Sequence, residues 1–305
     1  MVNVGIVDAD LPLAGEILRI LINHPETEIH TLFAPAFTGR NISSLHHGFI
    51  GEQPLNFTDK LSLQDLDYLI LLRNNELNKN IIDHAKDYDN LKIVVYDKNL
   101  VSENLSDFEV GLSEINRKAL VRGAKKAYIP ASVIVPALIT LAPLASFLLL
   151  NSDIDIQISL PEEIAVKFNE KEEAENIETE LKKIQSSFNH KVTLTILGNH
   201  ISNRGAKTTI TLKNTLPLSD IENIYDQIYD DHNFTFITRN EINENEVEGT
   251  QKVIISLKNI KEDSLVIETF SDAILRGGAG DIVHVLNLFY GLHEKTGLIL
   301  KPSGF

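Results

Sequence analysis

Cysteine is absent from the 305 residues. That absence removes disulfide staples, thiolate metal sites and cysteine nucleophiles together. Basic residues are scarce, 28 Lys and Arg against 43 Asp and Glu, and the formal charge is −15. Nucleic acid and anionic membrane surfaces are both gripped mainly by Lys and Arg, so neither partner is expected. No basic stretch precedes an apolar run in Met1-Val2-Asn3-Val4-Gly5, so a cytoplasmic location is expected rather than secretion. No His, Asp or Glu spacing matches a zinc or calcium site, and no metal is implied. Internal repeats are also lacking.

One segment is unusually apolar. Ser132 to Leu150 (SVIVPALITLAPLASFLLL) carries no charge for 19 residues, about the length that crosses a bilayer. Pro136 and Pro143 interrupt it, Thr140 and Ser146 add polarity, and no basic cluster follows. A buried helix of a soluble protein is the simpler expectation.

The first part of the chain alternates strand and helix patterns. Val2 to Val7, Glu28 to Phe33, Leu66 to Leu72 and Leu91 to Tyr96 read as buried strands, with helices at Ala14 to Leu21 and Glu76 to Ala85. Such alternation implies right-handed βαβ units and a doubly wound parallel sheet. After the apolar helix, Asp153 to Leu160 alternates polar and apolar residues, as do Val192 to Leu197, Thr208 to Leu212, Val253 to Leu257 and Leu265 to Glu268. Helices are expected at Glu170 to Ser187 and Asp220 to Tyr229. Asn240 to Glu248 reads as a solvated loop. The expected fold is therefore α/β, a Rossmann-like doubly wound parallel sheet (residues 1–130 and 272–305) plus a second α+β domain with a largely antiparallel sheet (131–271). A C-terminal helix, Ile274 to Leu292, is expected to return to the first domain.

Two segments carry a resemblance. Val110-Gly111-Leu112-Ser113-Glu114-Ile115-Asn116-Arg117 runs through Gly123-Ala124 to Ile129-Pro130-Ala131-Ser132. Asp272-Ala273-Ile274-Leu275-Arg276-Gly277-Gly278-Ala279-Gly280-Asp281 is followed by Asn287-Leu288-Phe289-Tyr290-Gly291-Leu292 and Glu294-Lys295-Thr296-Gly297-Leu298. They resemble the YGLPELNR…GA…NPGC and DNLVKGAAGQA…NLMFGLPETTGL stretches of N-acetyl-γ-glutamyl-phosphate reductases, of the semialdehyde dehydrogenase superfamily. Weaker matches lie at Thr38-Gly39-Arg40 to His46 and at Arg204-Gly205. Aspartate-semialdehyde dehydrogenases share the architecture but resemble the tail less.

The resemblance implies an NADPH-dependent reduction of an acyl phosphate through a cysteine thioester, within arginine-type amino-acid biosynthesis. This chain departs from it at several positions. Ser132 aligns with the cysteine, and an alkoxide is far harder to form than a thiolate without a positioned base. Ser132 reads instead as a helix N-cap. The family's GHRHxPEI base motif falls on Lys171, Glu172 and Glu173. Its GxxGxxG phosphate loop falls on Asp8, Leu11 and Ala14, with Asp10 adding charge and Pro12 removing an N–H. The asparagine and glutamine of the tail are Ala273 and Asp281, the SGxSGAG loop is missing, and the connection from Tyr96 to Val110 is shortened. No cofactor is expected, with NADP the choice if the ancestral site survives.

Some residues retain open readings. His200 is a candidate displaced base, Arg204 and His46 (with His47) are candidate anion or substrate contacts, and each also reads as an ordinary structural residue. Gly277 and Gly280 of the tail read as close-packing positions. The expectation is a pseudoenzyme acting as a homo-oligomer (dimer or tetramer) or through an active paralogous enzyme. The alternatives are a diverged reductase using Ser132 and a small-molecule sensor using the old substrate cleft.

Overall fold

The computed structural model describes residues 1–52, 54–199, 202–214, 216–261 and 264–302. The chain divides into two compact units. The first comprises Met1–Ala131 and Gly278–Leu298; the second comprises Ser132–Gly277 and residues 299–302. The tail is thus shared. Residues 272–277 and 299–302 group with the second unit, whereas 272–305 are expected from the sequence in the first.

The first unit is built from β1 (Val2–Val7), α1 (Pro12–Leu21), β2 (Thr27–Phe33), β3 (Tyr68–Leu71), α2 (Glu76–Ala85), β4 (Lys92–Val95), β5 (Glu109–Val110), α3 (Ser113–Val121) and β6 (Lys126–Tyr128). Its six strands are all parallel, in the order β2-β1-β3-β4-β6-β5. Strands buried on both faces need continuous apolar runs, and Val4, Ile6, Val7, Leu69, Ile70 and Leu71 are fully buried. Each contributes about 1.5–3 kcal/mol by leaving water. The chain goes from β1 out to β2 and returns to β3 on the other side of β1. In a doubly wound sheet this reversal opens a crevice at the carboxyl ends of β1 and β3, where ligands bind.

The second unit holds α4 (Val135–Ser146), β7 (Ile154–Pro161), α5 (Glu162–Ala165), α6 (Glu170–Ile184), β8 (Val192–Asn199), β9 (Gly205–Lys213), α7 (Leu218–Tyr229), β10 (Thr235–Thr238), β11 (Val253–Lys261) and β12 (Ser264–Asp272). Its sheet runs β10-β11-β12-β9-β7-β8. The three central pairings are antiparallel and the pairing at each edge is parallel. The sheet is therefore mixed, and the alternation of β7, with Ile154, Ile156 and Ile158 buried and Asp155 and Gln157 exposed, reflects one covered face.

The apolar segment forms α4, twelve residues long, in which Val135 to Ala145 are all buried. Among the described residues no helix is long and apolar enough to cross a membrane. Pro143 sits inside α4 and has no N–H to offer Ile139 four residues back. The Ile139 carbonyl instead accepts from the Tyr229 hydroxyl, and Tyr225 donates to the Thr140 carbonyl at 2.6 Å. These tyrosines lie one turn apart on α7, so one helix face repairs the ladder of its neighbour.

The last helix, α8 (Ala279–Phe289), packs with α1 and α3 in the first unit. It starts five residues later than its pattern suggests. Asp272 Oδ1 caps the N–H groups of Ile274 and Leu275, and Gly277 has φ +69°, which breaks any helix there. The loop from Asn240 to Glu248 is not simply solvated. It contains a capping box between Asn243 and Glu246, and it buries Val247 completely.

Candidate functional site

At the crevice, the loop from β1 to α1 is Asp8-Ala9-Asp10-Leu11-Pro12. Asp8 has φ +60°, a left-handed conformation that an L side chain adopts at a cost of about 1–2 kcal/mol. The backbone takes a shape that glycine favours, yet it carries a carboxylate side chain. That side chain is buried, and Oδ2 accepts from Asn78 Nδ2 at 2.7 Å. Arg73, just past β3, spans the two loop acids, with NH1 3.7 Å from Asp8 Oδ1 and NH2 2.9 Å from Asp10 Oδ2. Asn78 Nδ2 also donates to the Arg73 carbonyl at 2.8 Å. Both partners are pure acceptors, which fixes the orientation of this fully buried amide. The mouth of the switch point is thus occupied by an internally bonded cluster, in which the Asn78 Oδ1 alone of the amide's atoms is left without a partner among the described residues.

The backbone donors of this loop are largely committed as well. Ala9 N–H donates to Phe33 O, Leu11 N–H to Asp8 O, and both Ala14 and Gly15 N–H to Leu11 O. Pro12 has none, and Leu11 at the N-cap of α1 supplies no side-chain bond. His46 lies over the same loop. Its Nε2 donates to Ala9 O at 2.8 Å, and its ring so closely covers Gly15 that a Cβ there would sit 2.7 Å from Nδ1. His47 is exposed and bonds Ser43 O.

Ser132 does not cap α4. The helix begins at Val135 with Ile134 at the cap position, and no side chain bonds its first turn. Ser132 lies in the preceding turn, buried, with no hydrogen-bond partner for its hydroxyl among the described residues. Lys171, Glu172 and Glu173 form the first turn of α6 behind an Asn169 cap, an ordinary acidic helix start. Lys171 is exposed and faces Glu175.

Arg204 is held by Asp272. Its Nε lies 2.7 Å and its NH2 3.3 Å from the two carboxylate oxygens. Asp272 is fully buried, and it also accepts from the N–H groups of Gly249, Ile274 and Leu275. The guanidinium fork that would recognise an anion is therefore spent on an internal carboxylate. His200 lies outside the described residues. Ala273 and Asp281 are buried, Asp281 in the first turn of α8 beside Gly280. Among the described residues no cluster of three metal-ligating side chains occurs.

No family model matches the chain. Curated relatives do. The N-acetyl-γ-glutamyl-phosphate reductase of Parabacteroides distasonis is 31% identical over 326 aligned positions, covering all of both chains, and that of Bacteroides fragilis is equally similar over the same span. The chain belongs to this reductase family. Among solved structures, aspartate semialdehyde dehydrogenase II of Vibrio cholerae superposes with a TM-score of 0.70 at 12% identity over 95% of this chain and 99% of that one. The Candida albicans aspartate semialdehyde dehydrogenase solved with NADP gives 0.67 at 14%, over 95% and 99%. These two speak for the fold alone.

The segments that carry the family likeness meet inside the first unit. Arg117 from the first pairs with Glu294 from the second at 2.5 Å, and Glu294 also meets the buried His284 at 2.9 Å. Asn287 donates to the carbonyls of Glu294 and Thr296 and accepts from His24 Nε2 at 3.0 Å. Gly291 and Gly297 take positive φ in the same turn-rich tail. These bonds tie the tail to α3, α8 and the turn after α1. The reading from sequence missed His24, Arg73, Asn78 and Asp272. A signal existed for the cluster at the crevice, two acids directly after a buried strand and an Arg-Asn-Asn run after another, which demand partners.

Proposed function

We propose that the chain is a catalytically inactive member of its family that acts by binding, either to further copies of itself or to an active enzyme of arginine-type amino-acid biosynthesis. The loop from β1 to α1 carries this reading. A dinucleotide's pyrophosphate needs small residues and free N–H groups at the first helix. Here it would meet the carboxylates of Asp8 and Asp10, a proline, and donors already bonded to Phe33, Asp8 and Leu11. These residues fit a dinucleotide poorly. The nucleophile position adds to this, since Ser132 has no histidine or carboxylate bonded to its hydroxyl among the described residues and the chain holds no cysteine.

A thermal-shift titration with NADPH tests the reading. A ligand that binds only the folded state adds RT ln(1 + [L]/Kd), about 2.7 kcal/mol at a hundredfold excess. No shift up to millimolar NADPH is the expected outcome. A saturable shift, joined by NADPH-dependent turnover of an acyl phosphate that Ser132→Ala abolishes, would replace this reading with a diverged reductase.

A further inference from the structure

A second concavity lies on the first unit, away from the β1 to α1 loop. It has a volume of about 610 Å³, inside the range of small-molecule sites. One wall is a single stripe of α2. Leu77, Ile81, His84 and Tyr88 follow the i, i+4, i+7, i+11 spacing of one helix face, the last in the turn that prolongs the helix. Asn78, Ile82 and Ala85 on the neighbouring stripe are buried in the unit, and Ile81 is buried with them at the floor of the groove. Leu77 and Tyr88 remain 47% and 37% exposed, among the few large apolar residues left so. The facing wall is Leu61 and Leu63, each only partly buried, with Phe33 from the end of β2.

The charged groups at this groove share one sign. Asp59 and Asp87 line it beside the neutral Ser62 and Gln64, and among the described residues no Lys or Arg does. Lys86, adjacent in sequence, is turned to Asp83 at 2.8 Å. His84 Nδ1 lies 2.7 Å from the Asn80 carbonyl, which can only accept, so the neutral ring has Nε2 as a further acceptor. An apolar trough flanked by two carboxylates and an acceptor nitrogen matches an apolar body that ends in a donor-rich cation. We propose that this groove is a binding site for a small amphiphilic amine, with its hydrocarbon part between Leu77, Tyr88 and Leu61 and its ammonium toward Asp59 and Asp87.

The test uses the full chain and two probes of matched shape, 4-phenylbutylamine and 4-phenylbutyrate. The chain has no tryptophan, so Tyr88→Trp places a sole indole at the groove and its emission reports occupancy directly. The amine is expected to give a saturable emission change and to raise Tm in the unsubstituted protein, while the acid does neither. Asp59→Asn with Asp87→Asn, both on exposed side chains, is expected to weaken the amine at least tenfold with Tm of the free protein unchanged. Equal responses to both probes, no response to either, or amine binding that survives the double substitution would each overturn the proposal.

Discussion

The Glu294 carboxylate stands between the Arg117 guanidinium at 2.5 Å and His284 Nε2 at 2.9 Å, joining the two stretches that mark the family. Glu294 and His284 are buried, whereas the Arg117 side chain is 37% exposed. Removing the carboxylate therefore harms more than removing the arginine. Glu294→Ala is expected to lower stability by about 2–4 kcal/mol, because a buried polar network loses its central acceptor. Arg117→Ala should cost about 1 kcal/mol or less, since a half-solvated partner is screened and Glu294 keeps His284. Urea unfolding of the two variants checks the order, and equal losses would contradict it.

Asp8 and Asn78 allow two effects to be weighed separately. Asp8→Gly relieves a left-handed backbone strain of about 1–2 kcal/mol and forfeits a buried hydrogen bond of about 1–1.5 kcal/mol. Glycine's freedom in the unfolded chain adds about 0.5–1 kcal/mol against it, so only a small net loss, about 1 kcal/mol or less, is expected in the urea midpoint. Asn78→Ala removes the amide's unpaired Oδ1 but leaves the Asp8 carboxylate without its closest donor, for a net cost of about 1–2 kcal/mol. A large loss in Asp8→Gly would mean that the φ of +60° stores no strain.

Much of the fold was legible because the period of a buried strand or an amphipathic helix survives in sequence. Val2–Val7 and Glu76–Ala85 coincide with their patterns to the residue. The short strands β5, β6 and β10 were not legible, since they lack the continuous apolar runs that mark β3 and β4 and are fixed by pairing with neighbours. The start of α8 was obscured by a side-chain cap from Asp272 that lies outside the helix it displaces. That Asp8, Leu11 and Ala14 are not glycines could be read directly. What surrounds Asp8 could not, because Arg73 and Asn78 reach it across 65 and 70 positions.

Leu148 marks a place where stability can be gained. The end of α4 closes with Leu149 N–H on Leu144 O at 2.9 Å and Leu148 N–H on Ala145 O at 3.0 Å, the paired bonds of a Schellman motif. The residue at its left-handed position is Leu148, with φ +59° and a side chain 59% exposed. Glycine there avoids about 1–2 kcal/mol of strain and costs about 0.5–1 kcal/mol in the unfolded chain. Leu148→Gly is therefore expected to raise stability by about 0.5–1 kcal/mol, visible as a higher Tm. A lower Tm would mean that the exposed leucine makes a contact worth more than its strain.

His24 makes stability depend on pH. Its ring is buried, and burial holds its pKa below the ordinary value of 6.5 even though Asn287 and Glu26 pull upward. Nδ1 accepts from Glu26 N–H at 3.3 Å, so Nε2 carries the proton that Asn287 Oδ1 receives. Above neutral pH the folded and unfolded rings are both neutral, and no linkage arises. As pH falls through 6.5 the unfolded chain takes up a proton that the folded ring resists, and stability drops. Urea midpoints between pH 8 and pH 5 should show this decline, and His24→Gln should reduce its slope. An unchanged slope would place the pH sensitivity elsewhere.

Pro143 and Tyr229 should be coupled. The proline withholds the N–H that would serve Ile139 O, and the Tyr229 hydroxyl serves it instead. Tyr229→Phe alone leaves a buried carbonyl unsatisfied, at a cost of about 1–3 kcal/mol. Pro143→Ala alone supplies a rival donor within the helix and removes the steric clash of the ring, so it should be mild. In the Pro143→Ala background the carbonyl has its own helical partner, and Tyr229→Phe should cost less by about 1 kcal/mol or more. The double-mutant cycle isolates that difference, because the two residues act through one acceptor. Strict additivity would mean that the tyrosine stabilises α4 by packing alone and that the proline's missing bond is repaired in some other way.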